Sequence, residues 1–431
     1  MDRTGHADSP PAKARTVYCR IKQMHCALRG SPVRRVRSAI LNPIQSRGSR
    51  SSMSTTLPNT LCALLLLALT GCSSADMLAR RIAEPEPISR RQLRQSAEVY
   101  HILQAAPQRL SLPGGPALSY RILAPANFGF HSTLRQSSDA LRLKMHFEKP
   151  GIALPERGTI MALHGWSFDG SSLLPWALGF AERGYRVVLV DLRSHGLSGK
   201  ALVGYGSREG ADIATLVRAL RLRGEITQPL TLFGVSYGAV SSIYAAAVLR
   251  ADVDAVIALE PFANAGEGVR DLIRGTLRER PHSLRERLRQ WFVRQYVDAD
   301  SIAVAVPQAG RLLGLNLDAV DTRTAMANLS ACVLLLHGDA DNWLPVSHSR
   351  QLLAVNAHAQ LQEMPDESHV SLPLRIDWLL APLASWLAKQ VDHSDCAPFV
   401  LPPAPNADDD GKTHLDPPAS ATLPGPWRPR Q

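Results

Sequence analysis

Five short apolar runs, at residues 159–163, 186–190, 230–233, 255–259 and 332–336, are separated by stretches of helical length and character. Unbroken Val/Ile/Leu runs without polar alternation mark strands buried on both faces, and helices between such strands are the crossovers of a parallel sheet. The chain is therefore expected to hold an α/β body, a mostly parallel doubly wound sheet. Ahead of it, from residue 110 to 149, shorter runs broken by Pro113, Gly114, Gly115 and Pro125 predict antiparallel strands and turns. Between 262 and 329 the alternation stops and an arginine-rich helical stretch takes over (Arg270, Arg274, Arg278, Arg285, Arg289). An insertion of that size between two sheet strands is expected to form a helical cap over the carboxyl edge, with Trp291 and Phe292 in the cap core or, on the second reading, in contact with substrate, and the arginines on solvated faces.

Charge and cysteine usage separate the front of the chain from this body. Residues 1–52 hold 11 basic and 2 acidic side chains, leaving 37 basic and 36 acidic among the other residues, so the net charge of +10 belongs almost entirely to the N-terminal extension. The body lacks the electrostatic footprint of a nucleic-acid binder. Residues 61–71, LCALLLLALTG, suit a signal-peptide apolar region and are too short to span a bilayer. They end in Leu69-Thr70-Gly71-Cys72, which resembles the lipobox of bacterial lipoproteins. That resemblance implies a signal peptide over 53–71, removal of residues 1–52, a lipid on the thiol of Cys72, and, with Ser73 next, the outer membrane of the cell envelope. Residues 72–107 read as a tether, with Pro85 and Pro87, followed by a helix capped by Ser89. Residues 393–431, with nine prolines and Asp408-Asp409-Asp410, read as a disordered tail. Of the cysteines left in the mature chain, Cys332 lies in an apolar run and Cys396 in this tail, so no disulfide between them is expected. No metal-ligand spacing occurs and no cofactor is implied.

The chemistry is carried by Gly234-Val235-Ser236-Tyr237-Gly238, which follows the run 230–233 and precedes a helical stretch. A GxSxG pentapeptide is weak by itself; at a strand-to-helix turn it holds a serine in a strained conformation with its hydroxyl exposed. Four further segments accompany it: His164-Gly165-Trp166, residues 191–198 (DLRSHGLS), residues 337–341 (HGDAD) followed by Pro345, and Ser368-His369. With these the sequence resembles the α/β-hydrolase family over about residues 108–390, in particular its serine hydrolases with a helical cap. The expected core is then 108–261 and 330–392, with the cap at 262–329.

Carried over residue by residue, the resemblance implies Ser236 as nucleophile, His369 as general base, and Asp341 as the acid that orients it, with Asp339 as competitor for that role. The backbone N–H groups of Trp166 and Tyr237 would form the oxyanion hole. His164, His195, His337 and Asp191 are expected to shape loops. The implied activity is cleavage of an ester through an acyl-serine intermediate by a membrane-tethered, esterase- or lipase-like enzyme. An aminopeptidase-type amide hydrolase, with Glu260 or Glu267 holding the substrate amine, is the nearest alternative, and a catalytically silent binding lipoprotein is the alternative of another class.

Overall fold

The computed structural model describes residues 15–20, 74–137, 140–279, 281, 284–390 and 396–404. Cys72 and the expected signal segment lie outside these residues. Strands β1 (Arg15–Arg20), β2 (Gln108–Ser111), β3 (Ala117–Leu123), β4 (His131–Ser137), β5 (Ala140–Phe147), β6 (Gly158–Leu163), β7 (Tyr185–Asp191), β8 (Leu230–Val235), β9 (Ala255–Leu259), β10 (Cys332–Gly338) and β11 (Ala359–Met364) form two sheets. The larger has the order β11-β10-β9-β8-β6-β7-β3-β2. It is parallel from β11 to β7 and antiparallel at the β3 and β2 edge. The five apolar runs are β6 to β10. The smaller sheet is antiparallel, β1-β5-β4, and places Arg15–Arg20 of the N-terminal extension in regular structure.

The core explains why the strand sequences do not alternate. In β6, Met161 and Leu163 face one apolar cluster while Ile160 and Ala162 face another; β9 and β10 divide in the same way, as Val256 and Ala258 against Ile257 and Leu259, and Val333 and Leu335 against Leu334 and Leu336. Two faces covered by helices need two sets of apolar side chains. The first face is covered chiefly by the helices Ser207–Leu222 and Tyr237–Leu249, the second by Leu174–Ala181 and Ile376–Gln390.

Four helices fill the interval between β9 and β10: Ala265–Arg278, Leu284–Tyr296, Ala299–Leu313 and Thr322–Met326. The first is pressed against the loop after β10, since a Cβ on Gly275 would fall 2.2 Å from the Asn342 carbonyl oxygen. The third buries Ile302, Ala305, Val306, Ala309 and Leu313 in the first apolar cluster. Trp291 is 60% exposed, so it is not the core residue expected; the side chain of Phe292 lies outside those described. Arg270 pairs with Asp318 through two hydrogen bonds of 2.5 and 2.9 Å, which ties the first helix to the turn before Thr322 instead of leaving the arginine solvated.

Both ends of the body depart from the sequence expectation. The expected tether is instead a helix, Ser74–Ala83, which buries Ala75, Leu78, Ala79, Ile82 and Ala83 in the first apolar cluster, against the helix Ala299–Leu313. Only after it does the chain pass Pro85 and Pro87 to the expected helix, Arg90–Ile102, where Ser89 and Gln92 make a reciprocal capping box. At the other end, residues 396–404 are not disordered. Cys396 forms a disulfide with Cys332, Trp386 and Trp378 donate their indole N–H groups to Ala397 and Pro402 at 2.9 Å, and the Gln360 amide contacts Ala397 and Phe399. The disulfide was not expected because the tail's proline content gave no reason for it to return to the first residue of β10.

A crosslink closing a loop of this length removes chain entropy from the unfolded state, worth typically ~2–4 kcal/mol. Reduction, or Cys332→Ser, should lower the free energy of unfolding by an amount in that range, measured by chemical unfolding with and without reductant; an unchanged value would show that the tail holds nothing in place.

Candidate active site

The turn that carries Ser236 is dictated by sterics. Ser236 joins β8 directly to the helix Tyr237–Leu249 and has φ 53 and ψ −110, in the left-handed half of backbone space that a non-glycine residue rarely enters. A Cβ on Gly234 would come within 2.2 Å of the Gly238 carbonyl oxygen, and one on Gly238 within 2.0 Å of the Leu163 carbonyl oxygen. Both glycines are therefore required, the second because β6 passes directly beneath the turn. Ser236 is only 8% exposed, at the carboxyl end of its strand.

Two loops at that same edge bring further side chains to it. His369, after β11, places Nε2 3.0 Å from Ser236 Oγ and Nδ1 2.7 Å from Asp341 Oδ2. Asp341, after β10, accepts the backbone N–H groups of Trp343 and Leu344 on Oδ1, each at 2.8 Å. Asp339 points elsewhere, accepting the Asp366 N–H at 2.8 Å, so of the two acids Asp341 is the one beside the imidazole. Burial alone would push the Asp341 carboxyl up; His369, His337 and the Leu344 N–H outweigh it and hold it well below the usual carboxylate range. Burial would likewise pull His369 down, but Asp341 first and Glu260 second hold it above its ordinary value. The Trp343 ring lies 5.6 Å from the imidazole and shields it from one side.

The two expected oxyanion donors flank the serine. Tyr237 is the first residue of its helix, where backbone N–H groups find no acceptor within the helix. Trp166 follows β6 in a loop adjoining the serine turn, a Cβ on Gly165 falling 3.9 Å from that of Ser236. Its ring stacks on Tyr205 at 5.4 Å and meets Tyr237 edge-on at 5.1 Å.

The remaining polar groups are loop organisers. Asp191 accepts the N–H groups of Gly170 and Leu197, both at 2.9 Å, and its carbonyl accepts the Ser198 hydroxyl. His164 donates from Nδ1 to the Gly165 carbonyl and accepts the Leu192 N–H on Nε2, a neutral tautomer that burial enforces by pushing it down to about 4. Burial first, and then His164, pushes His195 down to about 3; it donates from Nδ1 to the Arg193 carbonyl. His337 donates from Nε2 to the Leu344 carbonyl and accepts the Ser349 hydroxyl, bracing the Asp341 loop.

One residue was misread from the sequence. Glu260, the first residue after β9, was weighed as a holder of a substrate amine, but its side chain is fully buried, with Oε2 3.4 Å from His369 Nδ1. It cannot meet a substrate in solution. Its place directly after a central parallel strand, the position Ser236 also occupies, is the sequence signal that could have put it in the site. Glu260, Asp341 and His369 are also the one group among the described residues close enough to share a metal ion; both His369 nitrogens, however, already serve the relay from Ser236 to Asp341. The groove of about 490 Å³ lined by Val306, Pro307, Gly310, Arg311 and Asp318 holds none of these residues.

The AB hydrolase superfamily protein YisY of Bacillus subtilis is 26% identical over 236 residues, 49% of this chain and 84% of that protein. Among solved structures, the esterase Pf2001 of Pyrococcus furiosus is 14% identical and covers 71% of this chain and 98% of its own, with TM-score 0.47. The esterase RhEst1 of Rhodococcus sp. is 19% identical, covers 66% and 99%, and has TM-score 0.42. The profile of the alpha/beta hydrolase family matches residues 160–381, a little over half the sequence and the part that carries Ser236, Asp341 and His369. The chain belongs to the α/β-hydrolase family.

Proposed function

We propose that the protein is a serine hydrolase that cleaves carboxylic esters through an acyl-serine intermediate. The observation that carries this reading is the unbroken hydrogen-bonded relay from Ser236 through His369 to Asp341, with the serine held at a strained turn. In this reading His369 takes the Ser236 proton as Oγ attacks the acyl carbon, and returns it to the leaving alcohol as the C–O bond breaks. Water, deprotonated by the same imidazole, then releases the acid and regenerates the serine. Asp341 fixes the imidazole tautomer and stabilises the imidazolium. The N–H groups of Trp166 and Tyr237 stabilise the oxyanion of each tetrahedral intermediate. No cofactor is needed for these steps.

An ester is favoured over an amide because the peptidase reading needs an acid to hold an amine: of the two acids weighed for that role, Glu260 is enclosed behind His369 and Glu267 is exposed on the helix Ala265–Arg278, whereas ester cleavage needs neither. The helices between β9 and β10 govern substrate choice in this proposal, since the first of them leans on the Asp341 loop. A silent binding protein would have no use for a strained serine aligned with a histidine and a carboxylate.

Ser236→Ala and His369→Ala should each reduce turnover of 4-nitrophenyl acetate by ~10³-fold or more, because triad members act as a unit. Asp341→Asn should be nearly as damaging and Asp339→Asn close to neutral. Labelling by a fluorophosphonate should be lost in Ser236→Ala; more than a tenth of the activity surviving in either alanine variant would remove the assignment.

Lipid attachment at Cys72 and an outer-membrane location are part of the same proposal. No helix among the described residues is long and apolar enough to cross a membrane, so anchoring would depend on the lipid. A single acyl chain binds a bilayer only marginally, whereas several hold firmly. With the helix Ser74–Ala83 packed on the body, such an anchor would hold the protein close to the bilayer instead of on a long leash. The protein should partition into detergent, and Cys72→Ser should move it to the aqueous phase or leave an uncleaved precursor; an unmodified Cys72 by mass spectrometry of the mature protein would dismiss the anchor.

A further inference from the structure

Glu260 is the one feature of the site that the triad chemistry does not use. Its side chain is fully buried, and neither carboxylate oxygen has a hydrogen-bond partner. Burying a carboxyl group without a hydrogen-bond partner costs free energy that an apolar side chain in its place would not incur. The residue also carries φ 54, a second strained non-glycine backbone at the same sheet edge as Ser236. Its Oε2 lies 3.4 Å from His369 Nδ1, the same nitrogen that Asp341 Oδ2 approaches to 2.7 Å.

We propose that Glu260 is a fourth member of this site, a positioning residue that shares the Nδ1 edge of His369 with Asp341 and trades its own proton against that of the imidazole. The inference rests on the Ser236–His369–Asp341 reading and deepens it. The charged and titratable groups acting on Glu260 come from two loops: Asp341 after β10, and His369 and Glu367 after β11. Glu367 is itself paired with Arg375, and His337 Nε2 stands 3.4 Å from Asp341 Oδ2. Burial, reinforced by Asp341 and Glu367 and opposed by His369, pushes the Glu260 carboxyl well above its ordinary value.

The consequence is electrostatic. With Glu260 protonated, Asp341 is the single anion beside the imidazole, and His369 is neutral and able to take the Ser236 proton. With Glu260 ionised, two anions face Nδ1 and hold the ring as imidazolium, a form that cannot act as base. Glu260 as carboxylic acid and His369 as imidazole contain the same number of protons as carboxylate and imidazolium, so the pair exchanges one proton without uptake from solvent. Two coupled groups then set the pH at which the base becomes available.

The test is the pH dependence of kcat/KM for 4-nitrophenyl acetate in Glu260→Gln and in Glu260→Met, the second keeping the volume without a polar group. The acid limb of this profile reports protonation of His369 in the free enzyme. An anion beside imidazole favours the charged ring, so removing it should move the limb to lower pH, by about half a unit or more. Removal should also deepen the defect of Asp341→Ala, in which Glu260 is the one acid left at Nδ1: adding Glu260→Gln should cost a further ~10-fold or more, greater than its cost in the wild type. An acid limb unmoved in both variants, each with a wild-type unfolding temperature, overturns the proposal and leaves the triad intact. Activity persisting in Ser236→Ala on the same ester would instead overturn the triad reading beneath it.

Discussion

The arrangement depends on one close approach, that of the Ser236 turn to the end of β6. Gly238 sits so near the Leu163 carbonyl that no side chain fits between them. Because β8 pairs directly with β6, the strand that leads to Ser236 and the strand that leads to Trp166 are neighbours. Parallel strands all present their carboxyl ends at one edge, so the loops after β6, β8, β9, β10 and β11 converge there without any being adjacent in sequence. Strain at Ser236 is held in place by a sheet covered on both faces, which cannot relax one strand without disturbing its neighbours.

Within that edge the electrostatics centre on His369. It contacts a hydroxyl at Nε2, a strongly ionised carboxylate at Nδ1, and a second, enclosed carboxyl group beside the first. Asp341 is kept ionised by two backbone N–H groups as well as by the imidazole, so its charge does not depend on the histidine alone. Glu260 has no such donors. Two acids within reach of one nitrogen thus sit in opposite environments, and this difference separates a fixed counter-charge from an exchangeable proton.

The helices between β9 and β10 are more than an added lid. Ala299–Leu313 shares the first apolar cluster with the sheet and with the N-terminal helix Ser74–Ala83, while Ala265–Arg278 abuts the Asp341 loop. Whatever enters the site does so beside elements that are part of the core, and the exposed face of Leu284–Tyr296, with Leu284, Leu288 and Trp291, is the portion least committed to it. The N-terminal helix connects this layer to the segment in which the sequence resembles a lipobox.

The sequence by itself determined what depends on local pattern. Apolar runs without alternation specified buried parallel strands, GxSxG at a strand-to-helix junction specified the strained serine, and Ser89 specified a helix start. Histidine and aspartate positions at strand ends were legible through motif and order. Strand β11 was not, because Ala359–Met364 carries three polar residues and lies at the sheet edge, where only partial burial is demanded. Tertiary structure alone decided the rest. Ser74–Ala83 is short, of mixed polarity and beside prolines, and it is a packed helix because Ala299–Leu313 offers an apolar face to receive it. Residues 396–404 return to the body because two buried tryptophans need acceptors for their N–H groups and Cys332 stands within reach. Glu260 could be read in the sequence only as an acid near the site; that it is sealed beside His369 and without a partner follows from how three separate loops pack, and no local pattern encodes a distance between them.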